Sequence, residues 1–281
     1  VARCHTLGLI PVLAEHARER RGYLAGTDAQ RLADFQLALR DPGIDAIWAV
    51  RGGYGTLRFL AHLDLAPLLE RPKPIIGFSD NTALHLALRR AGLVSFHGPH
   101  AGAAFPDFTL HCFTDVLFHT RPAGVLPRDP AAEAPVALSG GTAEGRLAGG
   151  NLTLLAACCG TPFALDAGDA IVVMEDVNEP AYRLDRAFTQ LKLAGCLEGA
   201  RGLAFGRFNW TDGDAPPGPA APSNEPAPLD VIADTVGSLG IPIVTGFPFG
   251  HIDRQWCLPL GVRARLDADS CALEILEPAV T

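Results

Sequence analysis

Pro74-Ile75-Ile76-Gly77-Phe78-Ser79-Asp80 runs directly into Asn81-Thr82-Ala83-Leu84-His85-Leu86-Ala87-Leu88. A short apolar run stops at a glycine, a serine follows, and a helical pattern begins. Leu84, Ala87, Leu88 and Ala91 recur at i, i+3, i+4 and i+7, one face of a helix. Ser79 therefore falls on a strand-to-helix turn, where a hydroxyl stands clear of the sheet and backbone N–H groups converge beside it. Such a turn presents a serine nucleophile for acyl transfer. Ser79 or Asp80 as a simple helix cap fits the same stretch, so the turn alone leaves both readings open.

Outward from this turn, helices and strands alternate. Asp28 to Leu39 reads as a helix ended by Asp41-Pro42-Gly43, and Ile44 to Val50 as a buried strand. Arg51-Gly52-Gly53-Tyr54-Gly55 is a tight turn before a helix from Thr56 to Leu63, and Leu93 to Phe96 is a further strand. Strands alternating with helices predict a parallel sheet covered on both faces, with chemistry at the C-terminal strand ends. Gly52-Gly53 and Ser79 both lie at such ends. From Arg121 to Gly141 the pattern dissolves into Pro, Ala and Gly, which reads as a linker or irregular crossover. The second half, from about Gly145, is richer in β. It holds strands at 170–174, 203–208 and 242–247, a helix from Tyr182 to Leu193, and a closing hairpin at 263–266 and 272–276. Residues 215–228 hold six prolines and read as a surface loop.

The chain has 281 residues, 48% of them hydrophobic and 19% charged, so it can bury a large core and is not expected to be disordered. Its net charge of −8, with Lys and Arg scattered, argues against nucleic acid or an anionic membrane as partner. Leu147 to Leu165 is uncharged over nineteen residues, but Gly149-Gly150 and Gly160-Thr161-Pro162 interrupt it, which fits buried core better than a membrane span. Seven cysteines without a Cys-x-x-Cys pair fit reduced thiols in a cytoplasmic protein, and Cys112 beside His111 reads as core. The start, Val1-Ala2-Arg3-Cys4-His5, shows no signal-peptide pattern and lacks an initiator Met, as a processed or truncated chain would.

A serine is a poor nucleophile until a base takes its proton, and that base is usually a histidine oriented by a carboxylate. His251, in the Gly/Pro-rich loop Gly246-Phe247-Pro248-Phe249-Gly250-His251, is the most suggestive of nine histidines. Glu175 ends the apolar run Ile171 to Met174, where an unpaired charge is costly. A surface acid paired with Arg183 or Arg186 fits the same position, and Asp176, Glu179 and Asp185 compete for the role. Two backbone donors must meet a developing oxyanion. The Asp80 N–H is one, and the Gly52-Gly53 turn offers the other. That turn lacks the Lys-Ser/Thr of a phosphate loop and the three-glycine spacing of a dinucleotide fold. His97-Gly98-Pro99-His100 lacks a third ligand at zinc spacing, so no metal and no cofactor are expected.

Together these motifs carry a resemblance. Ala49-Val50-Arg51-Gly52-Gly53-Tyr54-Gly55, Ile76 to Asp80, Gly149-Gly150-Asn151-Leu152, Glu175-Asp176 with Tyr182 to Arg186, and Gly250-His251 with Leu258-Pro259-Leu260-Gly261 resemble the LD-carboxypeptidase family. That family includes murein tetrapeptide carboxypeptidases and microcin C immunity peptidases. The resemblance implies an α/β fold: an N-terminal parallel-sheet α/β sandwich domain (1–121), a linker (122–144) and a smaller β-rich α/β domain (145–281). It implies a Ser79-Glu175-His251 triad at the domain junction, with Gly53 and Asp80 as oxyanion donors. It also implies cleavage of the L,D amide between a dibasic residue, lysine or diaminopimelate, and terminal D-alanine in cytosolic muropeptides. The sequence does not name the group that meets the substrate carboxylate; Arg51 and Arg183 are candidates. The oligomeric state stays open, a homodimer included. In the family a strand and helix usually precede the segment resembling Leu7 to Leu24, and much of that is missing here, which is expected to expose a sheet edge.

Three rivals remain. A microcin-immunity-like enzyme would keep the triad and act on aminoacyl or peptidyl nucleotide conjugates. Glu175-Asp176-Val177-Asn178-Glu179-Pro180 resembles the murein branch more. An α/β-hydrolase esterase shares the order serine, acid, histidine, but Gly77-Phe78-Ser79-Asp80-Asn81 lacks the second glycine of its elbow. A non-catalytic murein-fragment sensor would not need all three triad residue types.

Overall fold

The computed structural model describes residues 1–209 and 225–281. The first six strands are β1 (Ile47–Trp48), β2 (Ile75–Gly77), β3 (Ser95–His97), β4 (Gly124–Val125), β5 (Val136–Ser139) and β6 (Thr142–Asn151). The rest are β7 (Ala170–Val177), β8 (Gly202–Asn209), β9 (Ile243–Thr245), β10 (Leu258–Leu260), β11 (Arg263–Asp267) and β12 (Ala272–Ile275). They form two sheets, ordered β1-β2-β3-β10 and β4-β12-β11-β6-β7-β8-β9-β5. The fold is the expected mixed α/β architecture in two parts.

In the smaller sheet β1, β2 and β3 are parallel, as the alternating pattern predicts. Its fourth strand comes from the far end of the chain: β10 pairs antiparallel with β3, Leu258 opposite His97 and Leu260 opposite Ser95. Pro259 sits in the middle of β10. A proline cannot donate to a ladder, and β10 lies on the edge of its sheet, where that is tolerated.

The larger sheet is built around β7. The run Ala170 to Met174 is buried on both faces, because successive side chains point to opposite sides of a strand. Val172 and Met174 join a core with Leu184, Phe188 and Leu191 of the Ala181–Leu193 helix. Ile171 and Val173 join another core with Phe247, Phe249 and Trp256. Parallel pairing of β6, β7, β8 and β9 accounts for the continuous apolar pattern, since such strands are covered on both sides.

The segment read as a linker or irregular crossover contributes two short strands. β4 pairs with β12, and β5 pairs with β9 around a bulge between Ala137 and Ser139. Of the proline-rich stretch 215–228, residues 215–224 lie outside the described residues; Pro228 opens the Pro228–Val236 helix at its first turn, where a missing N–H costs nothing.

The Thr82–Arg90 helix departs from the one-faced expectation. Every residue from Thr82 to Leu88 is buried, because the helix is covered from both parts of the chain. Leu84 and Leu88 share a core with Ile75 of β2 and with Ala148, Leu152 and Leu155 of the second half. His85 tolerates this burial because both ring nitrogens are bonded, one to Ser95 Oγ at 2.9 Å and the other to Gly77 O at 2.8 Å. No helix among the described residues is long and apolar enough to cross a membrane.

Candidate active site

Ser79 sits one residue beyond Phe78, at the C-terminal end of β2, and opens a short 3₁₀ turn, Ser79–Asn81, that leads into the Thr82–Arg90 helix. Its φ is +62°, a left-handed conformation that a residue with a Cβ adopts at a cost of about 1–3 kcal/mol. The surroundings hold it there. The Asp80 carboxylate accepts from Thr56 N at 2.9 Å and from Thr56 Oγ1 at 2.7 Å, which ties the turn to the start of the Thr56–Leu60 helix. Asn81 Nδ2 donates back to Phe78 O at 3.0 Å. Asp80 is therefore no rival acid to Glu175: its side chain is consumed in positioning the turn.

Gly52 comes against the same turn. A methyl built on it would stand 2.8 Å from Ser79 Cβ and 3.0 Å from Ser79 Oγ, so only glycine fits at this approach. Gly53 follows with φ +115°. The Arg51–Gly55 loop thus wraps the serine, touching Ser79 through Gly52 and Asp80 through the neighbouring Thr56.

His251 reaches the serine from the other half. Beyond β9 the chain continues alongside β8, with Phe247 N donating to Phe205 O and Arg207 N to Phe249 O, each at 3.0 Å. This carries His251 to the sheet end, where Asn209 Nδ2 donates to its backbone carbonyl at 3.2 Å. His251 Nε2 lies 3.1 Å from Ser79 Oγ, and His251 Nδ1 lies 2.7 Å from Glu175 Oε2. Glu175 is fully buried, and Gly250 packs so closely that a methyl on it would come within 2.7 Å of Glu175 Oε2. Phe78 meets the imidazole edge-on, with ring centroids 4.8 Å apart.

The side-by-side acids are separated by strand alternation. Glu175 faces His251, whereas Asp176 faces the other side and accepts from Asn151 Nδ2, Thr153 N and Thr153 Oγ1 at 2.8–2.9 Å. Glu179 pairs with Arg183 at 3.4 Å, Asp185 accepts from Thr189 Oγ1, and Arg186 lies over the Tyr182 ring. None of these competes for the histidine, and neither arginine pairs with Glu175.

Burial is the largest single influence on His251 and pushes its pKa down. The hydrogen bond to Glu175 and the charges of Glu175 and Asp176 together outweigh it and carry the pKa above the ordinary 6.5. The neighbouring histidines go the other way. Burial, joined by the charges of His251 and Arg51, brings His100 down to about 4, and burial pushes His97 well below its usual range. The site therefore holds one histidine with raised proton affinity among neutral ones. A hydroxyl, an imidazole and a buried carboxylate in one hydrogen-bonded chain can activate the hydroxyl as a nucleophile.

His100 is a contact the sequence reading passed over except as a metal ligand. It stacks on Phe78 at 4.2 Å, with Nε2 3.2 Å from Phe78 O. His97 sits beside it, fully buried, with no partner for either ring nitrogen among the described residues. No group of three or more His, Cys, Asp or Glu side chains suited to a metal occurs among the described residues.

Comparison with known proteins agrees with the two-part layout. Residues 1–98 match the LD-carboxypeptidase N-terminal domain family, and residues 144–266 match the LD-carboxypeptidase C-terminal domain family. A murein tetrapeptide carboxypeptidase of Pseudomonas aeruginosa is 35% identical over 92% of this chain and 83% of its own. The crystal structure of a muramoyltetrapeptide carboxypeptidase from Oxalobacter formigenes is similar with TM-score 0.75 and 32% identity, covering 92% of this chain and 86% of that one. An MccF-like protein from Bacillus anthracis is similar with TM-score 0.85 and 25% identity, covering 98% and 89%.

Proposed function

The chain belongs to the LD-carboxypeptidase family, and from that premise we propose that it is a serine carboxypeptidase of cytoplasmic peptidoglycan recycling. In this reading it releases terminal D-alanine from murein tetrapeptides by cleaving the L,D amide after lysine or diaminopimelate. The observation that carries the reading is the continuous chain from Glu175 Oε2 through His251 to Ser79 Oγ, at 2.7 and 3.1 Å.

Each group then has a task. His251 Nε2 takes the Ser79 proton as Oγ attacks the amide carbonyl, and buried Glu175 holds the ring and steadies the imidazolium. The N–H groups of Asp80 and Gly53 are assigned to the oxyanion. His251 returns its proton to the departing D-alanine amine, and a water then repeats the sequence to free the acyl-enzyme. None of these steps calls for a metal.

The family resemblance keeps a second reading with the same triad, in which the substrate is an aminoacyl or peptidyl nucleotide, and an MccF-like protein is among the solved structures similar to this chain. The higher identity to the murein enzymes favours the first. Mass spectrometry of muropeptides before and after incubation tests it. We expect tetrapeptides to lose one alanine with the native chain and to stay intact with Ser79→Ala. Intact tetrapeptide alongside hydrolysed aminoacyl nucleotide would replace the first reading with the second. Undiminished cleavage by Ser79→Ala would end the serine mechanism.

A further inference from the structure

A carboxypeptidase must distinguish a chain end from an internal bond, and the feature that does so is the free carboxylate. In its substrate this group is close to the chemistry. Only the amide nitrogen and one Cα separate it from the scissile carbonyl, which places it within about 5 Å of that carbon by standard bond lengths. The cation that meets it must stand beside the Ser79 turn and be free of other carboxylates.

The arginines around the site differ in this respect. Arg183 is paired with Glu179 at 3.4 Å. Arg254 grips Asp129 in a fork, with contacts of 2.9, 2.8 and 2.6 Å. Arg207 donates to Glu133 O at 3.0 Å, on the side of β8 that faces the 127–135 segment. Among the described residues the Arg51 side chain, which is exposed, makes no hydrogen bond or ion pair to a carboxylate or carbonyl. Its side chain is exposed yet folded back on its own loop, so that a methyl on Gly53 would lie 3.9 Å from both its Nε and its Nη2. Gly53 adjoins Gly52, the residue that abuts Ser79 Oγ. Its charge is also felt by His100, which stacks on the residue before Ser79.

We propose that Arg51 is the specificity-determining residue that receives the terminal carboxylate of the substrate, its planar fork held over Gly53 at the rim of the nucleophile turn. The inference rests on the carboxypeptidase reading above. An exposed arginine with a vacant fork suits a mobile carboxylate ligand, because bidentate pairing supplies direction as well as charge. It also explains why the loop is anchored at Thr56 and Gly52 while the arginine between strand and glycines stays unpaired.

The test compares a tetrapeptide ending in L-Lys-D-Ala with the same peptide ending in D-alaninamide, using the full chain and its Arg51→Gln and Arg51→Lys variants. The native chain should prefer the free acid. A lost charge-assisted contact corresponds to a fall of about 10- to 100-fold in kcat/KM for the acid. Arg51→Gln should therefore compress the acid-to-amide ratio by that factor, and Arg51→Lys should fall between, since it keeps the charge and loses the fork. An unchanged ratio in Arg51→Gln overturns the proposal, as does an equal loss on both peptides. If Arg51→Gln does not fold, the ratio for Arg51→Lys decides in the same way. A native chain that leaves both peptides intact overturns the carboxypeptidase reading, and this inference with it.

Discussion

Gly52→Ala has an outcome that follows closely from the packing. The added methyl would stand 2.8 Å from Ser79 Cβ, 3.0 Å from Ser79 Oγ and 3.2 Å from His100 Cε1. Carbon atoms in ordinary contact are about 3.5–4.0 Å apart, so something must move by about 0.7–1.2 Å. Gly52 does not have a left-handed φ, so the effect is steric and not a matter of backbone conformation. The loop is pinned by Thr56 on the Asp80 carboxylate, and His100 is stacked on Phe78. Ser79 itself, at φ +62° and bonded to His251, is the group left to give way. A misplacement of about 1 Å at a reacting group lowers the rate by about 100-fold. Overpacking of this kind costs about 1–3 kcal/mol of stability, or about 2–10 °C in Tm for a chain of this size. We therefore expect kcat on an L-Lys-D-Ala tetrapeptide to fall about 100-fold, with a folded protein and a modest change in KM. Steady-state kinetics with a thermal melt measures both. A Gly52→Ala enzyme with kcat within about threefold of native would refute the close approach, because a 1 Å shift at Ser79 could not be so mild.

Glu175→Gln keeps the shape and removes the charge that raises His251, so kcat/KM should fall by on the order of 10³–10⁴. In the proposed mechanism His251 acts as base only when neutral, so kcat/KM should climb with pH through a value above the ordinary 6.5, and any residual activity in Glu175→Gln should climb at lower pH. The same raised pKa makes the His251–Glu175 pair contribute fully to stability below about 6.5, and the contribution fades as pH rises through the folded value; Tm against pH for the native chain and Glu175→Gln measures the difference. Asp176→Ala strands the donors of Asn151 and Thr153, and should lower stability by about 2–3 kcal/mol in urea melts while reducing kcat far less than Glu175→Gln does. His97 is held neutral by burial, so the unfolded chain binds its proton more readily and native stability should drop as pH falls below about 6.5. His97→Leu should flatten that drop in thermal melts at pH 5–7, and an equally steep drop in the variant would show that the buried ring is not its source.

Much of this site can be read from the chain because local rules and chemistry coincide there. The turn at Ser79 follows from an apolar run meeting a helical pattern, and the interest of Glu175 follows from a charge abutting Ile171 to Met174. Which acid faces the histidine also has a sequence signal. Alternation along β7 sends Glu175 and Asp176 to opposite faces, and the Gly149-Gly150-Asn151 motif at the end of β6 supplies the partner that occupies Asp176. What could not be read has a common cause in non-local pairing. Leu258-Pro259-Leu260, with a proline at its centre, carries no strand signal of its own, and becomes a strand only because β3 offers an edge. Gly124–Val125 and Val136–Ser139 are too short and proline-flanked to show a period, and exist as strands through β12 and β9. The one-faced helix pattern after Ser79 understated burial, because its second covering layer arrives from residues about seventy positions later.

That same non-local pairing accounts for how a bond between residues 172 positions apart is held to 3.1 Å. Ser79 sits on the turn that follows β2 of one sheet, Glu175 lies within β7 of the other, and His251 is on a loop beyond β9, so independent motion of the two parts would separate them. Three ties oppose it. The β10 ladder joins Leu258–Leu260, soon after His251, to β3 beside the Ser79 strand. The Thr82 hydroxyl, three residues past Ser79, accepts from Asn151 N at 2.9 Å where β6 ends next to Glu175. The buried helix Thr82–Arg90 shares its core with both sheets. Each tie lies within about ten residues of a member of the chain Ser79–His251–Glu175, so the geometry is fixed by the junction itself and not by either sheet alone. A serine held at positive φ needs such surroundings, since the strain persists only where neighbouring structure over-determines it.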